Sequence, residues 1–245
     1  MQAIIGHLAH LPDMFLFVTL YHSDASNMSI MSCSNGACAT INSMNLHHSA
    51  EVISILKERL EPAERAVSLA GAIEAQYPHA RKAAVLLGLF DYAGETHLAF
   101  VRRAATLRSH SGEIAFPGGA VDPGDDSVVM TALREAREEI GLDPARVVVL
   151  GVLPPGFTAV SNFVIMPVVA FLPQGLGTLS LQEAEVTELI LASLQGLADP
   201  AIFRSEEWTR GGMTHTVYFY EYGSYTIWGA TARILNALLQ VLDVV

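Results

Sequence analysis

Cysteine is nearly absent from this 245-residue chain: Cys33 and Cys38 are the only two. Neither has histidines at zinc-finger spacing, so no zinc finger or disulfide framework is indicated. Two free thiols in a reducing cytoplasm is the plain reading. Positive charge is also scarce. Fourteen Lys and Arg face twenty-five Asp and Glu, giving a formal net charge of −11. No general basic stripe exists, which argues against a nucleic-acid binder. The apolar run MFLFVTLY (14–21) is too short to cross a bilayer, and no Lys or Arg precedes it. A membrane span and a basic leader are therefore not expected. Internal repeats are missing as well.

Residues 1–49 differ from the remainder. They hold no Lys or Arg, the first being Lys57, and are rich in Met, His, Ser and Asn. The run 24–45 has no useful periodicity and is expected to lack order. Residues 1–49 thus read as a poorly ordered N-terminal extension. Either the translation start lies at Met44 or a nearby codon, or the segment is a genuine appendage.

From Ala50 the pattern becomes orderly, and 50–245 reads as one domain. AEVISILKERL (50–60) and AERAVSLAGAIEAQY (63–77) are amphipathic helices split by Glu61-Pro62. KAAVLLGLFDY (82–92) and THLAFVRR (96–103) read as a strand pair turning at Gly94. VVVLGVL (147–153), FVIMPVVAFL (163–172) and HTVYFYEY (215–222) are further strands, and 228–242 is a C-terminal helix. LQEAEVTELILASL (181–194) begins polar and becomes apolar, its acids suiting a surface helix. Mixed strands and helices fit an α/β sandwich.

The densest signal is Arg134-Glu135-Ala136-Arg137-Glu138-Glu139-Ile140-Gly141. Glu135, Glu138 and Glu139 stand at i, i+3 and i+4, which places them on one face of a helix. Val129, Ala132, Leu133, Ala136 and Ile140 form an apolar stripe on another side. Asp125, Asp126 or Ser127 can cap the start, and Gly141 sits where a C-terminal glycine belongs. Arg134 can pair with Glu138. Clustered like charges repel, and a divalent cation such as Mg²⁺ would offset that repulsion. Upstream, Phe116-Pro117-Gly118-Gly119 supplies glycines that let backbone approach a ligand closely. Arg102, Arg103 and Arg108 lie just before this loop and can meet an anionic substrate.

These segments resemble the signature of the Nudix hydrolases: a glycine, five residues, a glutamate, seven residues, then Arg-Glu-apolar-x-Glu-Glu-x-Gly-apolar. Arg134 to Leu142 matches its second half. The first half departs: after Gly119 and five intervening residues stands Asp125 rather than a glutamate, and eight residues then precede Arg134. RAATLRSHSGEIAFPGG (103–119) is similar to the extra motif of the coenzyme A-directed branch through Arg103, Ala104, Leu107, Arg108, Gly112 and Phe116–Gly119. GVLPP (151–155), MPVVAFL (166–172) and WGATARIL (228–235) also look like bacterial members of that branch.

The resemblance spans roughly residues 50–245. It implies a Nudix-type α/β/α sandwich with a mixed sheet and a metal-binding helix. It implies that Glu138, Glu139 and the Gly119 carbonyl bind Mg²⁺ or Mn²⁺, with Glu135 a further ligand or the general base. The family acid at Asp125 or Asp126 is mainly structural. Arg103 and Arg108 are the substrate-binding candidates. Glu185 is the candidate additional acid, Glu183 and Glu188 its competitors, and Glu113 another outer ligand. His110 receives no role.

The implied reaction is hydrolysis of coenzyme A to 4′-phosphopantetheine and adenosine 3′,5′-bisphosphate. The alternatives are hydrolysis of another nucleoside diphosphate conjugate such as ADP-ribose or NADH, a silent Nudix-like ligand-binding domain, or an isopentenyl diphosphate isomerase. The setting expected is the cytoplasm, with a small nucleotide as partner and a homodimer as the assembly.

Overall fold

A computed structural model describes Phe17–Val18, Ile30–Ser34, Ala37–Ile41, Leu46, and residues 48–105, 112–210 and 212–245. By internal contact the chain divides into two units, Met1–Met44 and Asn45–Val245. The first carries a three-stranded antiparallel sheet of β1 (Phe17–Val18), β2 (Ile30–Ser34) and β3 (Ala37–Ile41). The run 24–45, expected to lack order, therefore includes two paired strands. Its other residues lie outside those described.

The second unit begins with α1 (Ser49–Arg59) and α2 (Ala66–Gln76), the latter entered through a short 3₁₀ turn. The long pair β4 (Arg81–Tyr92) and β5 (Glu95–Arg103) follows. Next come β6 (Ile114–Ala115), β7 (Gly118–Ala120) and α3 (Val128–Ile140). The remaining elements of the central sheet are β8 (Val148–Val152), β9 (Gly156–Thr158), β10 (Phe163–Phe171) and β11 (Val186–Ser193). The chain ends with α4 (Leu194–Leu197), β12 (Phe203–Arg210), β13 (Met213–Tyr222), β14 (Tyr225–Trp228) and α5 (Gly229–Val241).

The central sheet runs β11-β5-β4-β10-β8. It is mixed: β4 and β10 are parallel, and the other pairs are antiparallel. Fully buried strands of this kind read as continuous apolar runs, which is why 82–92 and 163–172 are legible. One apolar cluster joins Ala66 and Ala70 of α2, Ala84 and Leu86 of β4, Val101 of β5, Ala132, Ala136 and Ile140 of α3, and Met166 and Val168 of β10. Both helices thus share one core against one face of the sheet. The alternate residues Leu87, Leu89, Leu98, Phe100 and Val169 are also buried, as the two-residue period places them on the other face. β12, β13 and β14 form a separate antiparallel sheet, against which α5 packs. The sandwich expectation of a mixed sheet flanked by helices is met.

One assignment is corrected. Residues 183–185 form a turn, and Val186–Ser193 is an edge strand on β5 rather than a helix. The apolar tail Val186, Ile190, Ala192 is buried by sheet pairing, so tertiary context overrides the helix-like polar onset. Among the described residues, no helix is long and apolar enough to cross a membrane.

Candidate active site

The sheet creates the site by splitting one edge of β4. Its C-terminal half, Leu89–Tyr92, pairs with β5, while Ala83–Val85 pairs with β7. The loop that leaves β5 must therefore return beside the same strand. Phe116 fastens it: its ring stacks on Phe100 at 4.5 Å and is buried. The Leu86 N–H donates to the Pro117 carbonyl at 2.8 Å. Gly118 and Gly119 are then pressed between β4 and α3. A Cβ on Gly118 would lie 2.4 Å from the Ala84 carbonyl oxygen. A Cβ on Gly119 would lie 2.6 Å from the Glu135 carboxyl carbon. Both contacts are closer than real Cβ atoms allow: Gly118 is required because its neighbour is backbone, whereas a side chain at Gly119 would displace the Glu135 carboxylate.

Helix α3 presents the acids. Ser127 caps it, its Oγ accepting from the Met130 N–H at 3.2 Å. Gly141 closes it in the left-handed region, and its N–H donates to Arg137. The three glutamates share a face but not an environment. Glu139 is only 2% exposed, Glu135 15%, and Glu138 59%. Glu139 Oε2 accepts from the Gly118 N–H at 3.1 Å, and its Oε1 lies 3.5 Å from Arg103 Nη1. Burial pushes its carboxyl up to about 7, partly opposed by the Gly118 N–H and Arg103. The charges of Glu135 and Glu185 add to the rise. Burial also raises Glu135, against the pull of Arg134.

Arg134 organises the near side of the helix. It donates from Nε and Nη2 to the two carboxylate oxygens of Asp125 at 3.0 and 2.9 Å, and from Nη2 to the Ala120 carbonyl at 3.0 Å. Nη1 reaches Glu135 at 2.8 Å and Glu138 at 3.2 Å. Asp125 also accepts from the Thr131 hydroxyl and the Asp122 N–H. The Arg134 hydrogen bonds hold its carboxyl far below the usual carboxylate range. Of the two acids considered at the departed position, Asp125 takes the structural part.

The other candidates separate clearly. Glu185 sits exposed in the turn before β11, yet its charge is felt at both Glu135 and Glu139. Glu188, its competitor, is engaged elsewhere: it accepts from Arg102 at 2.8 Å and from the Tyr225 hydroxyl at 2.6 Å. Glu113 lies at the head of the loop, its carbonyl accepting from the Arg103 N–H at 3.0 Å. Arg108 and His110 lie outside the described residues. Arg103 stands beside Glu139, so it meets the acidic site directly.

A divalent cation fits these residues. Two largely buried carboxylates repel each other beneath a backbone that only glycine can form, with a third acid close by. Among the described residues no three such side chains already stand close enough to chelate an ion. Arg134 instead draws Glu135 and Glu138 toward itself, and Gly118 holds Glu139.

Comparison with known proteins settles the family. Residues 79–210 match the NUDIX domain. The chain belongs to the Nudix hydrolase family. It is 42% identical over 164 residues to the uncharacterized Nudix hydrolase NudL of Photorhabdus laumondii, covering 67% of this chain and 86% of that protein. It is 40% identical to the NudL protein of Pectobacterium atrosepticum, covering 66% and 84%. The NUDIX domain of Shewanella oneidensis NrtR, solved with ADP ribose, is 19% identical, with a TM-score of 0.40 over 53% of this chain and 83% of that one. As a Nudix hydrolase, the protein belongs to a class that generally uses divalent metals.

Proposed function

We propose that this Nudix hydrolase cleaves the diphosphate of coenzyme A or its derivatives, releasing 4′-phosphopantetheine and adenosine 3′,5′-bisphosphate. One observation carries the diphosphatase part: Glu139 bonds the Gly118 N–H and Glu135 packs against Gly119, so both acids line the glycine loop, with Glu185 in electrostatic reach. The motif of 103–119, with Arg103 beside Glu139, supports coenzyme A as the substrate.

Glu135, Glu138, Glu139 and the Gly119 carbonyl are the residues that would hold Mg²⁺ or Mn²⁺. When bound there, the ion would supply charge neutralisation at the diphosphate and a more acidic water. The residues of the chain do the rest. Arg103, beside Glu139, would offer its guanidinium to a phosphate oxygen. Glu139, buried and accepting from the Gly118 N–H, would serve as a carboxylate ligand to the ion. Glu135 is held against Gly119 and shares the ligand or base role. The Gly118 N–H fixes the direction of the Glu139 carboxylate. Positioning and charge stabilisation dominate phosphoryl transfer, and this site is built for both. The balanced step breaks one P–O bond of the bridge and adds one water. The setting proposed is cytoplasmic.

Product analysis on coenzyme A, an acyl-coenzyme A, ADP-ribose and NADH with Mg²⁺ or Mn²⁺ tests the reading. The expected result is greatest turnover on coenzyme A or its acyl form, with 4′-phosphopantetheine or its acyl derivative as product. A preference for ADP-ribose overturns the substrate while leaving the diphosphatase intact.

A further inference from the structure

Among the described residues, a cavity of about 400 Å³ opens where the C-terminal sheet meets the head of the catalytic loop. Its wall includes Arg102, Glu113, Ile114, Trp208, Phe219 and Trp228. Strand register explains the grouping. Phe219 stands opposite Trp228 across β13 and β14, and their rings lie within 10° of parallel at 6.3 Å. Trp208 of β12 leans over both, its ring 6.0 Å from each. Its indole N–H donates to Glu206 at 2.7 Å, so that edge is spoken for while the ring remains 44% exposed. The opposite wall is pinned. Arg102 and the Tyr225 hydroxyl both meet Glu188, and the Arg102 guanidinium lies over the Tyr225 ring at 5.2 Å.

The lining states what it would accept. The charge of Arg102 is already matched by Glu188, so an added anion gains little there. Ile114 is the one aliphatic side chain on the wall, which is poor provision for an acyl tail. An exposed indole, that of Trp208, and a half-buried one, that of Trp228, beside a fixed guanidinium suit a flat, neutral heteroaromatic ring. Alternation along β5 turns Arg102 and its partner Ile114 to the face opposite Arg103, so the cavity adjoins the metal loop around the end of that strand. Glu113 lines it and Gly118 is five residues on, at most about 17 Å at roughly 3.3 Å per extended residue.

We propose that this cavity is the nucleobase subsite, in which the purine of the substrate stacks on Trp208 and Trp228. The proposal rests on the nucleotide diphosphatase reading above. It assigns a substrate role to the C-terminal sheet, most of which follows the matched domain.

The chain contains two tryptophans, and both line this cavity. Intrinsic fluorescence therefore reports it directly. Metal-free protein titrated with adenosine 5′-monophosphate should show saturable quenching, and 4′-phosphopantetheine should leave emission unchanged. Trp208→Ala should raise KM for coenzyme A about tenfold with kcat within twofold, the order expected for losing one base-stacking contact. Trp208→Phe should restore most of the KM. Quenching by 4′-phosphopantetheine instead of the adenosine nucleotide overturns the assignment. So does an unchanged KM in a folded Trp208→Ala protein that still hydrolyses coenzyme A. Absence of hydrolysis on every nucleotide, with adenosine quenching intact, would strike the diphosphatase reading and leave the base subsite standing.

Discussion

Asp125 and Arg134 form a two-pronged ion pair, Nε to Oδ1 at 3.0 Å and Nη2 to Oδ2 at 2.9 Å. This pair ties the turn after the metal loop to the middle of the acidic helix. It also compensates for an irregular motif. The acid here is one methylene shorter than glutamate and one residue further from Arg134, and the Asp122–Asp125 turn carries it into place. Asp125 is almost wholly buried, and removing it takes the two-pronged partner from the guanidinium. Asp125→Ala should cost about 2 kcal/mol of stability, the order for losing hydrogen bonds to a charged group, since Arg134 keeps Glu135, Glu138 and the Ala120 carbonyl. The pH dependence has a definite sign. A carboxyl depressed below its ordinary 3.8 stabilises the fold above that value and loses its effect as pH falls through the folded-state pKa. Thermal midpoints of wild type and Asp125→Asn should therefore differ at pH 7 and converge under strong acid. A constant gap across that range would assign the difference to packing.

Glu139 works in the opposite direction. Its carboxyl is raised to about 7 from an ordinary 4.5, so the folded state binds more protons than the unfolded state between those values. Stability of metal-free protein should fall as pH rises from about 5 to 8. The full effect is about 3 kcal/mol. Glu139→Gln should remove that slope and melt above wild type at pH 8 in chelator. Parallel melting curves at pH 5 and pH 8 would show that the burial is not felt as proton uptake. Added Mg²⁺ should stabilise wild type more at pH 8 than at pH 6, because a metal ligand must be deprotonated.

Turnover should vanish with a chelator and return with Mg²⁺ or Mn²⁺, since carboxylates alone cannot offset a diphosphate. Glu138→Gln and Glu139→Gln should each lower kcat by roughly 10²–10⁴. The two should differ in stability. Glu138 is exposed and bound to Arg134 on the surface, so its variant should melt within about 0.5 kcal/mol of wild type. Wild-type activity in a folded Glu138→Gln protein removes that residue from the ligand set.

Gly119→Ala tests the loop independently of charge. The added methyl would collide with the Glu135 carboxylate, and the side chain can move only by leaving Arg134 or the site. A fall in kcat of at least tenfold is expected, with a smaller change in thermal midpoint. Unaltered kinetics would show that Glu135 need not sit against this backbone.

Much of this site was legible because its determinants are local. The glutamate spacing, the Ser127 cap, the Gly141 stop and the apolar stripe lie within fifteen residues of chain, where helical period governs. Asp125 was readable as one of two acids but not as the one that pairs, because that depends on the shape of a turn. The segment 181–194 misled because Gln182, Glu183 and Glu185 look like a polar helix face, while burial against β5 decides the strand. The aromatic cavity was illegible. Trp208 and Trp228 are grouped by pairing within the C-terminal sheet, Arg102 comes from the central sheet more than a hundred residues earlier, and the two sheets meet where β14 lies against β6; no periodicity links them.

Arg103 carries two expectations that one variant separates. It lies 3.5 Å from Glu139, and its positive charge holds that carboxyl lower than burial alone would. It also stands in the motif that resembles the coenzyme A branch. If its main task is electrostatic, Arg103→Ala should raise the Glu139 pKa and shift the acid limb of the kcat/KM profile to higher pH. Coenzyme A and 3′-dephospho-coenzyme A would then suffer alike. If it reads the 3′-phosphate, the loss should fall on coenzyme A alone, by roughly 10- to 150-fold for a charge-assisted contact of about 1.5–3 kcal/mol. The observed contact with Glu139 favours the first outcome: a shifted acid limb with an unchanged substrate ratio. A ratio that falls tenfold with an unmoved pH profile would place the guanidinium on the substrate instead.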